Sequence, residues 1–172
     1  MTKKAIFLNL KLQTIQKGVF HLMTSKKRLY ALQIKTKLNF EDNLKNIENI
    51  SKNCGEGAII VAPEVAISGF CYQRINEASE FSKIATERLI IASEDKTIVT
   101  TMIEKCNNKY CNNLKVFSRG VMAHKQTKSK LFPLGDEHHH FISGKESEIC
   151  LFNVDGIKCG AINCFEIRFP HL

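Results

Sequence analysis

Two short apolar runs separated by one amphipathic stretch constrain the fold of this chain more than any other feature. Leu29-Tyr30-Ala31-Leu32-Gln33-Ile34 and Ala58-Ile59-Ile60-Val61-Ala62 are nearly continuous in apolar character, as strands buried on both faces are. Between them Asn39 stands as an N-cap before a helical stretch over residues 40–53. There Leu44, Ile47 and Ile50 recur along one stripe, with Phe40 just before them, and Gly55 and Gly57 close the stretch. Strand, helix and strand with short links predict a parallel pair with the helix packed outside.

The pattern continues in kind. A second helix is expected over residues 76–92, with Ala78, Phe81, Ile84, Ala85 and Leu89 inward. Residues 97–103 are rich in β-branched side chains and read as a third strand. Residues 107–109 read as a turn. Residues 114–117 and 120–123 read as an antiparallel pair joined at Ser118-Arg119-Gly120, followed by a polar loop over 124–130. Residues 148–154 and 157–163 form a hairpin across Asp155-Gly156. The second arm of that hairpin climbs through Gly160-Ala161-Ile162-Asn163 to Cys164, and Phe165-Glu166-Ile167-Arg168-Phe169-Pro170 turns the chain away. This reads as a buried strand ending in a sharp bend that presents one thiol.

Charge is unevenly spread. The formal net charge is +8. Residues 1–40 hold nine of the basic residues and no acid, whereas residues 41–172 hold sixteen basic residues against seventeen acids. The basic character therefore belongs to an N-terminal arm, and the body has no excess with which to grip phosphates, so no nucleic-acid partner is expected. Residues 1–27 are expected to be an extension outside the fold, with a short surface-packed helix as the alternative, and residues 28–172 to be the domain. The first ten residues imitate a signal peptide, but Lys11 breaks the apolar run and no A-x-A-like site follows. No apolar run approaches the ~20 residues of a membrane helix, so no membrane partner is expected. Seven scattered cysteines without a CxxC point to free thiols in a reducing, cytoplasmic setting.

Three chemically capable positions fall at strand ends or just beyond them, where open α/β sheets keep their sites. Cys164 is a candidate nucleophile, which needs a base or a nearby cation to become a thiolate. Glu64 follows a buried strand and a proline, a costly place for a carboxylate without a partner. Lys128 precedes Leu131-Phe132 in a polar loop and offers positive charge to a thiolate and a developing oxyanion. Taken by themselves these residues leave the matter open, because buried cysteines are usually inert and a loop lysine usually faces solvent. His138-His139-His140 suggests a metal, but adjacent residues point in different directions, so a solvated loop or helix start is the better reading.

Three segments, in order, resemble the nitrilase superfamily of carbon–nitrogen hydrolases. Pro63-Glu64 with Gly69-Phe70 resembles its glutamate segment. Lys128 through Phe132, with Gly135-Asp136-Glu137 and Phe141-Ile142-Ser143-Gly144, resembles its lysine segment, and Gly160 through Pro170 resembles its cysteine segment. The resemblance runs from about Arg28 to the last residue. It implies an α-β-β-α sandwich and hydrolysis of a small amide through an acyl-thioester. Cys164 would be the nucleophile, Glu64 the base, and Lys128 with the Phe165 backbone N–H the oxyanion donors, while Glu137 would orient the lysine. It implies no metal or organic cofactor, a small-molecule amide as substrate, and a homodimer where the domain is complete. Lys130 departs from the family pattern, which often has histidine there; a cation facing Lys128 would lower its basicity, and one facing solvent would not. The chain stops eight residues after Cys164, so a C-terminal part is expected to be missing. The competing reading is an inactive remnant with at most a binding role.

Overall fold

The computed structural model describes residues 28–172 and, as backbone only, two strands ahead of them, β1 (Gln13–Ile15) and β2 (Val19–Met23). Those two strands pair antiparallel with each other, and β2 pairs antiparallel with β3 (Arg28–Leu32). Within the stretch expected to stand outside the fold, these two pieces thus continue the sheet; the other residues of 1–27 lie outside the described ones.

The predicted strand–helix–strand unit is present. β3 leads to α1 (Phe40–Lys52) and then to β4 (Ile59–Val61), which pairs parallel with β3. Asn39 caps α1, its side chain accepting the Asp42 N–H at 3.1 Å. Phe40, Leu44 and Ile47 are buried on its inner stripe. β3 itself departs from the expectation of burial on both faces, since only Leu32 of its five residues is buried.

The second helix, α2 (Ile75–Ala92), returns the chain to β5 (Thr97–Cys106), which pairs parallel with β4. Ala78, Ala85 and Leu89 face inward as expected, whereas Ile84 is exposed, because the buried stripe centres on the small residues. β6 (Lys109–Ser118) and β7 (Val121–Thr127) follow antiparallel, completing a seven-stranded sheet in sequential order. Both run farther than their apolar stretches, and residues 124–127, expected as loop, are strand.

The pleat sorts the core into two layers. Ile60, Ile98, Met102 and Phe117 face α1 and α2. Their alternating neighbours Ile59, Val99, Val116 and Leu114 face the other way, onto a small hairpin, β8 (Phe152–Val154) and β9 (Ile157–Cys159). Asp155 and Gly156 both adopt positive φ in its turn, as the sequence predicts for this dipeptide. Beyond Cys159 the expected strand stops. Residues 160–163 pair with no strand among the described residues and form extended coil.

One expectation about the cysteines is corrected. Cys106 and Cys111 form a disulfide across the β5–β6 hairpin, their Cα atoms 6.0 Å apart, a separation that diagonal neighbours across a tight turn readily reach. Cys54, Cys71, Cys150, Cys159 and Cys164 are free. No helix among the described residues is long and apolar enough to cross a membrane.

Candidate active site

β4, β5, β6 and β7 all bring one group to the same end of the sheet. Glu64 lies just past β4, where three buried residues, Val65, Ala66 and Ile67, pin the turn into the core. Val65 takes a positive φ of 44°, a rare state for a β-branched residue. Its N–H donates to the Thr101 hydroxyl of β5 at 2.5 Å, which fixes the turn. Asn112 of β6 is fully buried and donates its side-chain amide to Glu64 Oε1 at 2.8 Å. Its carbonyl accepts the Lys128 N–H at 2.9 Å, extending the β6–β7 ladder by one step beyond β7.

The Lys128 side chain is completely enclosed and lies between two carboxylates. Its ammonium donates to Glu64 Oε1 at 2.7 Å and to Glu137 Oε1 at 2.8 Å. Glu137 opens α3 (Glu137–His140) and is itself held by the Phe132 N–H at 2.8 Å. Burial disfavours the ammonium, but the hydrogen bonds and charges of Glu137 and Glu64 outweigh it, so the Lys128 pKa lies above its ordinary value. Lys130 turns away. It pairs with Glu146 and lies over the Phe169 ring at 5.1 Å, so it is no rival charge to Lys128. The histidines occupy α3, with the His140 ring stacked on Tyr72 at 3.9 Å between centroids.

Cys164 begins a short 3-10 turn, Cys164–Arg168, with φ 51°. The sharp bend read from the sequence is therefore present, although coil and not a buried strand leads into it, and the cysteine is exposed. Desolvation, then the hydrogen bond and charge of Glu64, raise its thiol pKa; Lys128 draws it down without reversing the shift, and Glu137 adds to the rise. The thiol thus shares the Glu64 carboxylate with the Lys128 ammonium. Phe165 sits in the first turn, where N–H groups have no partner within a helix, and its ring packs between Phe132 and Phe169 at 5.3 Å from each.

The structure therefore brings Glu64, Lys128, Glu137 and Cys164 together, with Phe165 beside them. Sequence reasoning missed two participants. Asn112 left one trace, since asparagine is unfavourable inside strands. Glu166 left another, because Asn163-x-x-Glu166 is a capping-box pattern, and that box is formed here. Gly144 explains the end of the lysine segment. Its N–H donates to the Lys128 carbonyl at 2.9 Å, and a Cβ there would lie 2.4 Å from the Thr127 carbonyl oxygen.

A thiol, a carboxylate and an ammonium sharing one cluster at the carboxyl end of a parallel strand pair can pass a proton from sulfur to oxygen beside fixed positive charge. That is the equipment of acyl transfer. The chain belongs to the Carbon-nitrogen hydrolase family, whose pattern residues 28–172 match. It is 24% identical over 135 residues to the 2-oxoglutaramate amidase of Bacillus subtilis (strain 168), covering 75% of this chain and 51% of that protein.

Two solved structures show the same fold. A carbon-nitrogen hydrolase from Helicobacter pylori G27 superposes with a TM-score of 0.74 at 17% identity, over 83% of this chain and 53% of that one. A mutant amidase from Nesterenkonia sp. AN1 in complex with butyramide gives 0.72 at 16% identity, over 83% and 57%. The architecture is thus that of the nitrilase fold, and the chain spans about half the length of the relatives it matches.

Proposed function

We propose that the chain hydrolyses the carbon–nitrogen bond of a small carboxamide, with Cys164 as nucleophile, Glu64 as general base and Lys128 as oxyanion partner. The single observation that carries this reading is the shared Glu64 carboxylate, which holds the Lys128 ammonium at 2.7 Å and raises the Cys164 thiol pKa. Because that pKa lies above its ordinary value, the sulfur is a protonated donor at neutral pH. Its proton passes to Glu64 as the sulfur attacks the carbonyl carbon. Negative charge develops on the carbonyl oxygen, where the Lys128 ammonium and the Phe165 N–H receive it. Collapse of the tetrahedral intermediate returns the proton to the nitrogen, expels ammonia or an amine, and leaves a thioester on Cys164. Glu64 then takes a proton from water as the water oxygen attacks the thioester carbon; collapse breaks the carbon–sulfur bond, frees the acid, and the departing Cys164 sulfur recovers the proton from Glu64. Glu137 keeps the ammonium aimed throughout.

An amide, in preference to a nitrile, is supported by the amidase relatives, one named for 2-oxoglutaramate and one holding butyramide. A cytoplasmic setting is part of this proposal; five free cysteines support it, while the Cys106–Cys111 disulfide is of the kind a reducing compartment disfavours, and the near-neutral body supports neither a nucleic-acid nor a membrane partner. Homodimers belong to the same proposal. A second reading, an inactive remnant, is favoured by the openness around Cys164, where Ile162 and Ile167 are 45% and 75% exposed. Exclusion of water strengthens each electrostatic interaction a site relies on, and an open site forgoes it.

Ammonia release from a panel of small carboxamides separates the two. The expected result is release that disappears in Cys164→Ala. No release from the unmutated chain with any member of the panel would establish the remnant.

A further inference from the structure

We propose that Glu166 is a positioning residue, whose buried carboxylate fastens the segment carrying Cys164 to the segment carrying Lys128 and so sets the distance between sulfur and ammonium. The proposal rests on the reading of Cys164 and Lys128 as nucleophile and oxyanion partner. Glu166 is fully buried. Its Oε1 accepts both the N–H and the hydroxyl of Ser129, at 2.7 and 2.8 Å, and its Oε2 accepts the N–H of Asn163 at 2.7 Å. Ser129 directly follows Lys128, and Asn163 directly precedes Cys164. One carboxylate therefore spans the two segments next to their reactive members, with one oxygen assigned to each.

Chemistry favours this over a packing role. A buried carboxylate is costly and is kept only where donors satisfy it, and an apolar side chain would fill the same space without that cost. Three donors converge here, all from two backbone segments 34 positions apart in the chain. The clamp also bears on the bend. The Asn163 side chain accepts the Glu166 N–H while Glu166 holds the Asn163 N–H, so both neighbours of the Cys164–Phe165 step are fixed and the positive φ of Cys164 is locked between them. Glutamine has the same volume but one acceptor oxygen. Whichever way it turns, its NH2 meets an N–H and one arm of the clamp is lost.

The test is the rate of Cys164 alkylation by iodoacetamide in the full chain, followed by mass spectrometry of the modified peptide from neutral to alkaline pH, for the unmutated protein, Glu166→Gln and Ser129→Ala. The charged groups facing the thiol are Glu64 and Glu137, which raise its midpoint, and Lys128, which lowers it. Loosening the clamp takes the thiol away from Glu64 and Lys128 together, and Glu64, the stronger influence, is the one that raises it, so the midpoint is expected to fall in Glu166→Gln. Loss of the Glu166 charge by itself would also push the midpoint down, so the charge-keeping Ser129→Ala separates positioning from simple electrostatics. Ser129→Ala keeps the charge and removes one of three hydrogen bonds, and is expected to lower the midpoint by less, whereas simple electrostatics leaves it unchanged.

Where amide hydrolysis is measurable, kcat is expected to fall on the order of tenfold to a hundredfold with KM changed little, as for a misplaced reactive group. An unchanged or raised midpoint in folded Glu166→Gln, or a midpoint in Ser129→Ala equal to that of the unmutated protein, overturns the proposal. If Glu166→Gln does not fold, the Ser129→Ala midpoint decides: lowered supports it, unchanged or raised overturns it. Because alkylation needs no substrate, a chain that releases no ammonia would sink the hydrolase reading while this result still stands or falls alone.

Discussion

Cys164, Val65 and Asp136 have φ of 51°, 44° and 57°, and each either is or adjoins a member of the Glu64–Lys128–Glu137–Cys164 cluster. The other non-glycine residues in this region, Asn107, Arg119 and Asp155, sit in hairpin turns, where connectivity demands such torsions. No hairpin demands them at the cluster, where each costs on the order of 1–3 kcal/mol that surrounding contacts must offset. At Cys164 this is measurable. Alanine keeps the Cβ that makes the left-handed region costly, and glycine removes it at some expense in unfolded-chain entropy. Cys164→Gly is therefore expected to be more stable than Cys164→Ala by about 1 kcal/mol in urea unfolding; equal midpoints would mean the bend relaxes once the sulfur is gone. Lys128 carries the opposite sign. Lys128→Met leaves Glu64 and Glu137 enclosed with no cation between them, and a loss of about 3–5 kcal/mol is expected from denaturant unfolding at neutral pH. Because its folded pKa lies above 10.5, the stabilisation from Lys128 is complete below that pH and is lost as pH rises through the folded value.

Among the elements, those with an apolar rhythm were legible and those built on polar partnerships were not. α1 begins at Phe40 behind its Asn39 cap, and α2 and β5 fall close to their sequence-based spans. β6 and β7 run past their apolar stretches because polar residues carry them. Asn113 donates to Glu104 and accepts from Thr127, while the amide of Gln126 reaches the Ala161 carbonyl. No period-2 hydrophobic signal marks such positions. The same limit governs the cluster: Glu64, Lys128 and Cys164 stood out as reactive groups at strand ends, whereas Asn112 and Glu166 look like ordinary polar residues until three-dimensional neighbours are known. Gly144 shows how an element can depend on one missing side chain. In Gly144→Ala a Cβ would have to displace the Thr127 carbonyl at the end of β7. The expected loss is about 1–3 kcal/mol, as for overpacking, read as a lowered urea midpoint together with slower Cys164 alkylation as Lys128 shifts. A variant as stable and as reactive as the original would show that this strand end yields freely.

At the scale of the whole molecule, one partly buried ionic network joins α2 to the sheet. Glu104 of β5 accepts Lys115 of β6 and Lys125 of β7, each at 2.7 Å, and Lys115 also donates to the Thr86 hydroxyl of α2 at 2.7 Å. Burial works against the Glu104 charge, but the hydrogen bonds from Lys115 and Lys125 dominate and hold its carboxyl at about 2, below the ordinary 4.5. Lys115 moves the other way: burial outweighs Glu104 and lowers its pKa from 10.5. The two partners make different contributions in acid. Lys115 is protonated in folded and unfolded chains alike there, so its burial cost is constant and adds no slope. Glu104 binds a proton in the unfolded chain near pH 4.5 but in the folded one only near 2, so its stabilisation is present above 4.5 and drains away as pH falls toward 2. Unfolding free energy is therefore expected to drop across that window by at most about 1.4 kcal/mol per pH unit from this group. Glu104→Gln should be less stable at neutral pH yet flatter between 4.5 and 2, because the titrating group is gone while Lys115 stays buried beside an amide. Denaturant titrations of both proteins at several acidic pH values test this, and parallel slopes would place the acid sensitivity in some other carboxylate.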